Sequence, residues 1–398
     1  MRDPVADRVP RLLGAPRAGA TRMTTARNAA AGSIRRNRPR GADRTRDRTL
    51  LVPATMPVIL FLIGSAGGCA APGRAGSAPA RQPPDRRAVD VLKAALRYEA
   101  NPVVRVEAVE ALESYGDPSV LPWLRSALLD GHPAVRFAAC VALGRLKDHV
   151  ATGALRNCAA DEDPSVRAAA LFALHRLGHP EGTGRLATFL LTHKEATVRR
   201  NAALLLGLME EPGAIRILAK AMKDPDAGVR QHALEAMARL GNAEARQELV
   251  FMTNAGVGSE EVFALNALAG TGDRRYVDTF RYKLARGAHL ETQLAAARGL
   301  GRLGLDDGFD IALRAVQRKR NVRPDPDDPP DAQILRAQQL GAAALGAIGR
   351  ADALPALQAL MDRSDDPRVQ VSAARAILEI VKRHRPDAWP LDETDSPG

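Results

Sequence analysis

Apolar side chains recur along most of the chain at fixed distances from a marker position, and the marker itself first returns every 31 or 32 residues. In the first five copies it is an arginine preceded by valine: Arg105, Arg136, Arg167, Arg199 and Arg230. The same frame continues at Glu261, Gln293, Gln338 and Gln370, giving nine copies. Three residues after the marker stands alanine, or Gly341 in the eighth copy. Seven after it stands leucine, Met237 or Ile377. Offsets of −1, +3, +7 and +10 follow the helical period, so these positions predict one buried stripe on a helix. The small residue at +3 lets two helices approach closely. A second helix is expected before each, as over Val120–Leu128 and Ala214–Met222. Pro102, Pro133, Pro164 and Pro367 suit the first turn of the marker helix, where a missing N–H costs nothing. Gly116, Gly178, Gly241, Gly272 and Gly304 suit its end. A period of this size is the signature of stacked repeats, which grow by addition and not by enlarging one core.

In this pattern the chain resembles the HEAT repeat family, in its short variety often called the bilin-lyase HEAT-like repeat. The resemblance covers residues 89–385 and implies an all-α fold, a right-handed superhelical α-solenoid of about nine helix pairs. At roughly 10 Å per pair, nine pairs would make an arc of about 90 Å. The family carries a ladder of acidic residues and arginines that ties adjacent repeats together. Carried over by position, it pairs Glu99 with Arg105, Asp130 with Arg136, Asp161 with Arg167, and Asp224 with Arg230. His193 replaces the acid before Arg199, so that rung is expected to be missing. The bilin-lyase name implies chromophore attachment, but the residues beyond the repeat add nothing to it.

Charge is distributed unevenly. Residues 1–88 hold 17 arginines, no lysine and five aspartates. Taken from the chain totals of 57 basic and 46 acidic residues, they leave 40 and 41 for residues 89–398. The repeat array is therefore near neutral, and duplex nucleic acid, which needs a clustered basic face, is not an expected partner.

The N-terminal part divides further. Residues 1–48 are arginine-rich without apolar periodicity, a composition expected to be disordered, or an extension of the gene ahead of a start at Met23 or Met56. Leu50 to Gly68 is 19 residues without a charge, and Cys69 follows directly. A basic region, an apolar core and small residues make an export signal over residues 49–69. Ala66-Gly67-Gly68 before Cys69 resembles a bacterial lipobox, departing from it at Ala66, where leucine is preferred. In that family the cysteine is lipidated. An uncleaved membrane anchor, and a plain secretory peptide or no export, are the alternatives. Residues 70–88 are expected to be a flexible linker, and the acidic tail over 386–398 to be disordered.

No catalytic residue, metal site or cofactor emerges. Gly299-Leu300-Gly301-Arg302-Leu303-Gly304 matches a dinucleotide-binding spacing, but it lies where a helix should end, not where one begins after a strand. His175 and His179 are four apart with no third ligand nearby. There is no His-Glu dipeptide of the kind found in the iron-dependent, HEAT-like deoxyhypusine hydroxylases. Cys140 and Cys158 are expected as small core residues, with a disulfide between neighbouring repeats as the alternative.

The non-repeating positions carry the functional expectation. Offsets +1, +5 and +9 share one face of the marker helix, the concave side in HEAT solenoids. The +5 series is Glu110, Val141, Phe172, Leu204, Glu235, Asn266 and Arg298. Phe137, Val141, Phe172, Leu204 and Leu208, with Arg200, predict an apolar groove with a polar rim, a protein-binding surface. Between Gln293 and Gln338 the interval widens to 45 residues, through a proline-rich insertion around 317–332 that cannot be helical throughout. The function these features predict is a non-catalytic protein-binding scaffold, with no cofactor, exported and tethered to the bacterial envelope through Cys69. The alternative is a lyase-like or accessory factor acting on a chromophore or a modified protein. That alternative would show itself as a deep pocket holding an acid or nucleophile of shifted pKa.

Overall fold

The computed structural model describes residues 84–319 and 329–384, and no strand occurs among them. Nine helix pairs follow one another, each a shorter outer helix and a longer inner helix that carries the marker. They are α1 (Pro84–Ala95) and α2 (Pro102–Tyr115), α3 (Leu121–Ser126) and α4 (Pro133–Arg145), α5 (Thr152–Cys158) and α6 (Pro164–Arg176). Next come α7 (Gly184–Thr192) and α8 (Ala196–Leu208), α9 (Ile215–Ala221) and α10 (Ala227–Arg239), α11 (Ala243–Met252) and α12 (Gly258–Gly270). The array ends with α13 (Val277–Arg286) and α14 (Leu290–Arg302), α15 (Phe309–Val316) and α16 (Pro330–Ile348), α17 (Leu354–Arg363) and α18 (Pro367–His384). The fold is an all-α solenoid.

Local chemistry sets the helix ends where the sequence places them. The inner helices α2, α4, α6 and α18 begin at their prolines. Asn101, Asp163 and Asp226 accept N–H bonds of the first turn, removing donors that would otherwise be orphaned. The five expected glycines all take the left-handed conformation that ends a helix. The −1, +3 and +7 residues are buried in every repeat where they are apolar, forming one continuous core. Gly144 and Gly207, eight residues after their markers, sit where an added Cβ would fall 2.6 Å from Ala173 Cα and 2.6 Å from Ala236 Cβ. The inner helices thus touch nearly backbone to backbone.

This tight inner layer bends the array until it closes. α18 packs against both α1 and α2, so the last repeat meets the first. Arg87 of α1 and Asp362 of α17 form an ion pair at 2.7 Å, and Lys382 Nζ donates to the Ser114 carbonyl at 2.9 Å. The expected open arc of about 90 Å is replaced by a closed ring, since small residues let successive inner helices crowd toward a common centre.

The ladder forms, but with different partners. Arg105 holds Asp130 through two hydrogen bonds, Arg136 holds Asp161, and Arg199 holds Asp224, each 25 residues on and in the following repeat. Within its own repeat each arginine uses the remaining nitrogen on a backbone carbonyl, Tyr98 and Glu99 O for Arg105 and Asp130 O for Arg136. The same-repeat carboxylate pairs of Glu99–Arg105, Asp130–Arg136, Asp161–Arg167 and Asp224–Arg230 are therefore corrected. The arginine lies too close to its own turn to reach that side chain, and reaches the next turn instead. The missing acid at His193 accordingly costs Arg167 its rung, not Arg199. Arg167 and Arg230 keep only carbonyl acceptors, at Asp161 and Glu162 and at Asp224 and Pro225. The later glutamines preserve the carbonyl half alone: Gln293 Nε2 donates to Gly287 O and Gln370 Nε2 to Ser364 O. Glu261 instead receives Lys283 Nζ at 3.1 Å in a buried pair.

Other expectations find their places. Gly299 and Gly301 lie inside the last turns of α14 against Phe280 and the Ile348 backbone, so that motif is helix packing. His175 pairs with Glu211 at 2.9 Å. Cys140 and Cys158 are buried free thiols, not joined in a disulfide. The linker expected over 70–88 is helical from Pro84, and the insertion expected over 317–332 is helical again from Pro330. Residues 1–83, Cys69 among them, 320–328 and the tail from 385 lie outside the described residues. No helix among the described residues is long and apolar enough to cross a membrane.

Candidate functional site, a charged lumen

Ring closure turns the +5 and +9 positions of the inner helices toward one enclosed space. A cavity of about 140 Å³ is lined by Glu110, Glu113 and Ser114 of α2, Arg145 of α4, Leu204 and Leu208 of α8, Glu235 and Arg239 of α10, Arg302 of α14 and Arg375 of α18. Arg298 and Glu379 stand beside Arg375 at its flank.

Three carboxylates in this lumen are each claimed by one guanidinium. Arg145 meets Glu113 at 3.0 Å, Arg239 meets Glu235 at 3.0 Å, and Arg375 Nε meets Glu379 at 2.9 Å. Arg375 also lies 4.0 Å from Glu110, beyond a hydrogen bond. Burial pushes the Glu110 carboxyl well above the ordinary range although Arg375 pulls the other way. Burial raises Glu113 too, against the pull of Arg145. Burial also works against the Arg375 charge, but Glu379 and Glu110 outweigh it and hold its pKa above the usual value. Arg302 keeps open surface in the lumen, yet protein surrounds it, and that burial brings its pKa down to about 10 against the opposing effect of Glu379. An arginine so placed stays charged at neutral pH. The lumen can therefore present guanidinium donors and, at Glu110, a carboxyl whose burial favours its protonated form.

The expected apolar groove is corrected. Phe137, Val141 and Phe172 are 2%, 1% and 0% exposed and belong to the continuous core. They fill the side of the ring where α4 and α6 come together, leaving no surface for a partner. Arg200 is partly buried with its Nε 3.5 Å from Asp226. Leu204 and Leu208 alone of that set reach the lumen, half-buried against the core. The helix face was identified correctly from its period, but its charged members meet one another and its apolar members do not form a surface. Glu110, Glu235 and Arg298 were visible in the +5 series, where they read as a rim. Only the contact of α18 with α2 brings Arg375 and Glu379, from the last repeat, beside Glu110 of the first.

Residues 89–175, 154–238 and 185–260 match the family model of HEAT repeats, so this part of the chain is built of HEAT repeats. No curated protein matches the chain. Among solved structures, the complex of CpcE and CpcF of phycocyanin lyase from Nostoc is similar at 21% identity and a TM-score of 0.38, covering 61% of this chain and 97% of that one. Human deoxyhypusine hydroxylase is similar at 19% identity and a TM-score of 0.34, covering 75% of this chain and 97% of that one.

Proposed function

We propose that this chain is a non-catalytic scaffold that binds another protein on the outside of its ring, and that Cys69 carries the lipid that tethers it to the periplasmic side of a bacterial envelope. One observation carries the binding reading. The outer layer leaves large apolar side chains in water, among them the aromatics Phe251 of α11 at 74% and Tyr282 of α13 at 60% exposed. These helices belong to consecutive repeats, and solvated aromatics of this kind are the usual anchors of protein interfaces. The lumen is a poor alternative for a peptide, because its volume falls below the roughly 300 Å³ at which ordinary ligand sites begin.

The test is a cross-linked pull-down from an envelope fraction. Phe251→Asp with Tyr282→Asp should lose a partner that wild type and Leu204→Asp with Leu208→Asp retain. Equal recovery by all three would defeat the reading. Mass spectrometry of the mature N-terminus addresses the tether separately, since residues remaining ahead of Cys69 would exclude lipidation there.

A second reading has one specific support. An enclosed pocket holding Glu110 with a raised pKa is the arrangement expected of a lyase-like factor. The cavity is too small for a chromophore, so this reading survives only for a small substrate.

A further inference from the structure

Two guanidinium groups at the lumen have no anion of their own among the described residues. Glu113, Glu235 and Glu379 are taken by Arg145, Arg239 and Arg375. Arg298 and Arg302, one turn apart on α14, make no hydrogen bond or ion pair with any described residue. Arg302 sits in the last helical turn, where the negative end of the helix dipole favours a cation, as it does for Arg145 and Arg239. Arg298 has no such support. It lies in the body of the helix, 6% exposed, facing Arg302 and Arg375. Burial of its charge, with repulsion from these two, depresses its pKa well below the ordinary arginine value.

An uncompensated buried guanidinium is expensive, and its neighbours supply more unmet hydrogen-bonding capacity. Arg375 Nη1 and Glu110 Oε1 are both buried without a partner. Arg302, Arg375 and Glu110 thus line the cavity, and Arg298 stands beside Arg375 at its flank. A small anion with several oxygens in the cavity would meet Arg302 and Arg375, by the forked geometry that suits guanidinium to carboxylate and phosphate, and would offset the charge of Arg298 beside them. Space agrees: a comparable cavity of about 150 Å³ holds a benzene-sized molecule.

We infer that the lumen at Arg302 and Arg375, with Arg298 at its flank, is a binding site for a small oxyanion, a molecule of about six non-hydrogen atoms bearing carboxylate or phosphate. The site does not depend on the protein-binding reading, because it uses none of the outer residues.

The test measures melting temperature and calorimetric binding of the full chain with inorganic phosphate and with malonate, at constant ionic strength against chloride. Wild type should melt several degrees higher in saturating phosphate or malonate than in chloride. A response to phosphate alone assigns phosphate ligands and a response to malonate alone assigns carboxylates; either supports the site. Arg302→Met should weaken binding at least tenfold. Arg298→Met should also weaken it, through the lost field, and melt above ligand-free wild type, because the unpaired charge is gone. Should Arg298→Met fail to fold, Arg302→Met, whose side chain keeps open surface, carries the test. No effect of either anion beyond chloride, or an undiminished response in the variants, overturns the proposal.

Discussion

Arg136 Nε and Nη2 each donate a 2.8 Å hydrogen bond to Asp161, across the boundary between the second and third repeats. Both side chains are about nine-tenths withdrawn from water, at 11% and 12% exposed. A two-pronged, partly buried pair of this kind is worth more than a surface salt bridge. Arg136→Ala should destabilise the protein by about 1.5–3 kcal/mol. A double-mutant cycle with Asp161→Ala should show coupling above about 0.5 kcal/mol by denaturant titration. Additive losses would mean that the rung contributes only separate contacts to each side chain.

His193 offers the converse experiment. Its Nδ1 accepts the Glu195 N–H, as Asp130 accepts His132 and Asp161 accepts Asp163, so it keeps the turn and lacks only the carboxylate. His193→Asp should retain that turn and supply Arg167 with its missing partner. The expected gain is about 1 kcal/mol. It should vanish when Arg167→Ala is added, as read from chemical denaturation.

Close approach of the inner helices is testable at one atom. Gly144→Ala would place a methyl 2.6 Å from the Ala173 Cα, where backbone on both sides must give way. A loss of about 1–3 kcal/mol is expected. Gly153→Ala in α5 meets nothing within 4 Å and should instead be neutral or stabilising, by up to about 1 kcal/mol. Thermal melts should fall for Gly144→Ala and hold or rise for Gly153→Ala.

Burial raises the Glu107 carboxyl to about 7, against the pull of Arg368 and Arg375 and with repulsion from Asp366 adding to the rise. Its folded pKa thus exceeds its unfolded value, so the folded state holds the proton longer. The stability this confers is complete below the unfolded pKa near 4.5 and is lost as pH rises through 7. The loss expected between those values is up to about 3 kcal/mol. Glu107→Gln should flatten the profile over this window and melt above wild type at pH 8. Parallel profiles for the two proteins would show that Glu107 is ionised throughout.

Repeat positions were fully legible from sequence because each reports on a local event. Val104, Ala108 and Leu112 announce a buried stripe, Pro102 a helix start and Gly116 a helix end. Ladder members were legible as residue types, but their partners were not. Whether Arg136 reaches Asp130 or Asp161 depends on how one repeat leans on the next. The candidate site was the least legible. Glu110 and Arg375 are 265 residues apart, and nothing within one repeat says that nine of them complete a turn. That depends on a small rotation per repeat, accumulated around the ring. For the same reason Phe137 and Phe172, apolar on an inward face, could be surface in an open arc and are core in a closed one.

Ring closure is what makes both the lumen and its charge imbalance, and a cross-link across the seam tests it most directly. The chain would carry Arg87→Cys and Asp362→Cys, with Cys69, Cys140 and Cys158 replaced by serine or alanine, and be treated in dilute solution with a short bismaleimide. The 2.7 Å ion pair between these side chains places both thiols within reach of one reagent, so a cross-linked monomer should form in high yield. An open arc would hold the two positions up to about 90 Å apart and give no intramolecular cross-link, which would contradict the closed ring.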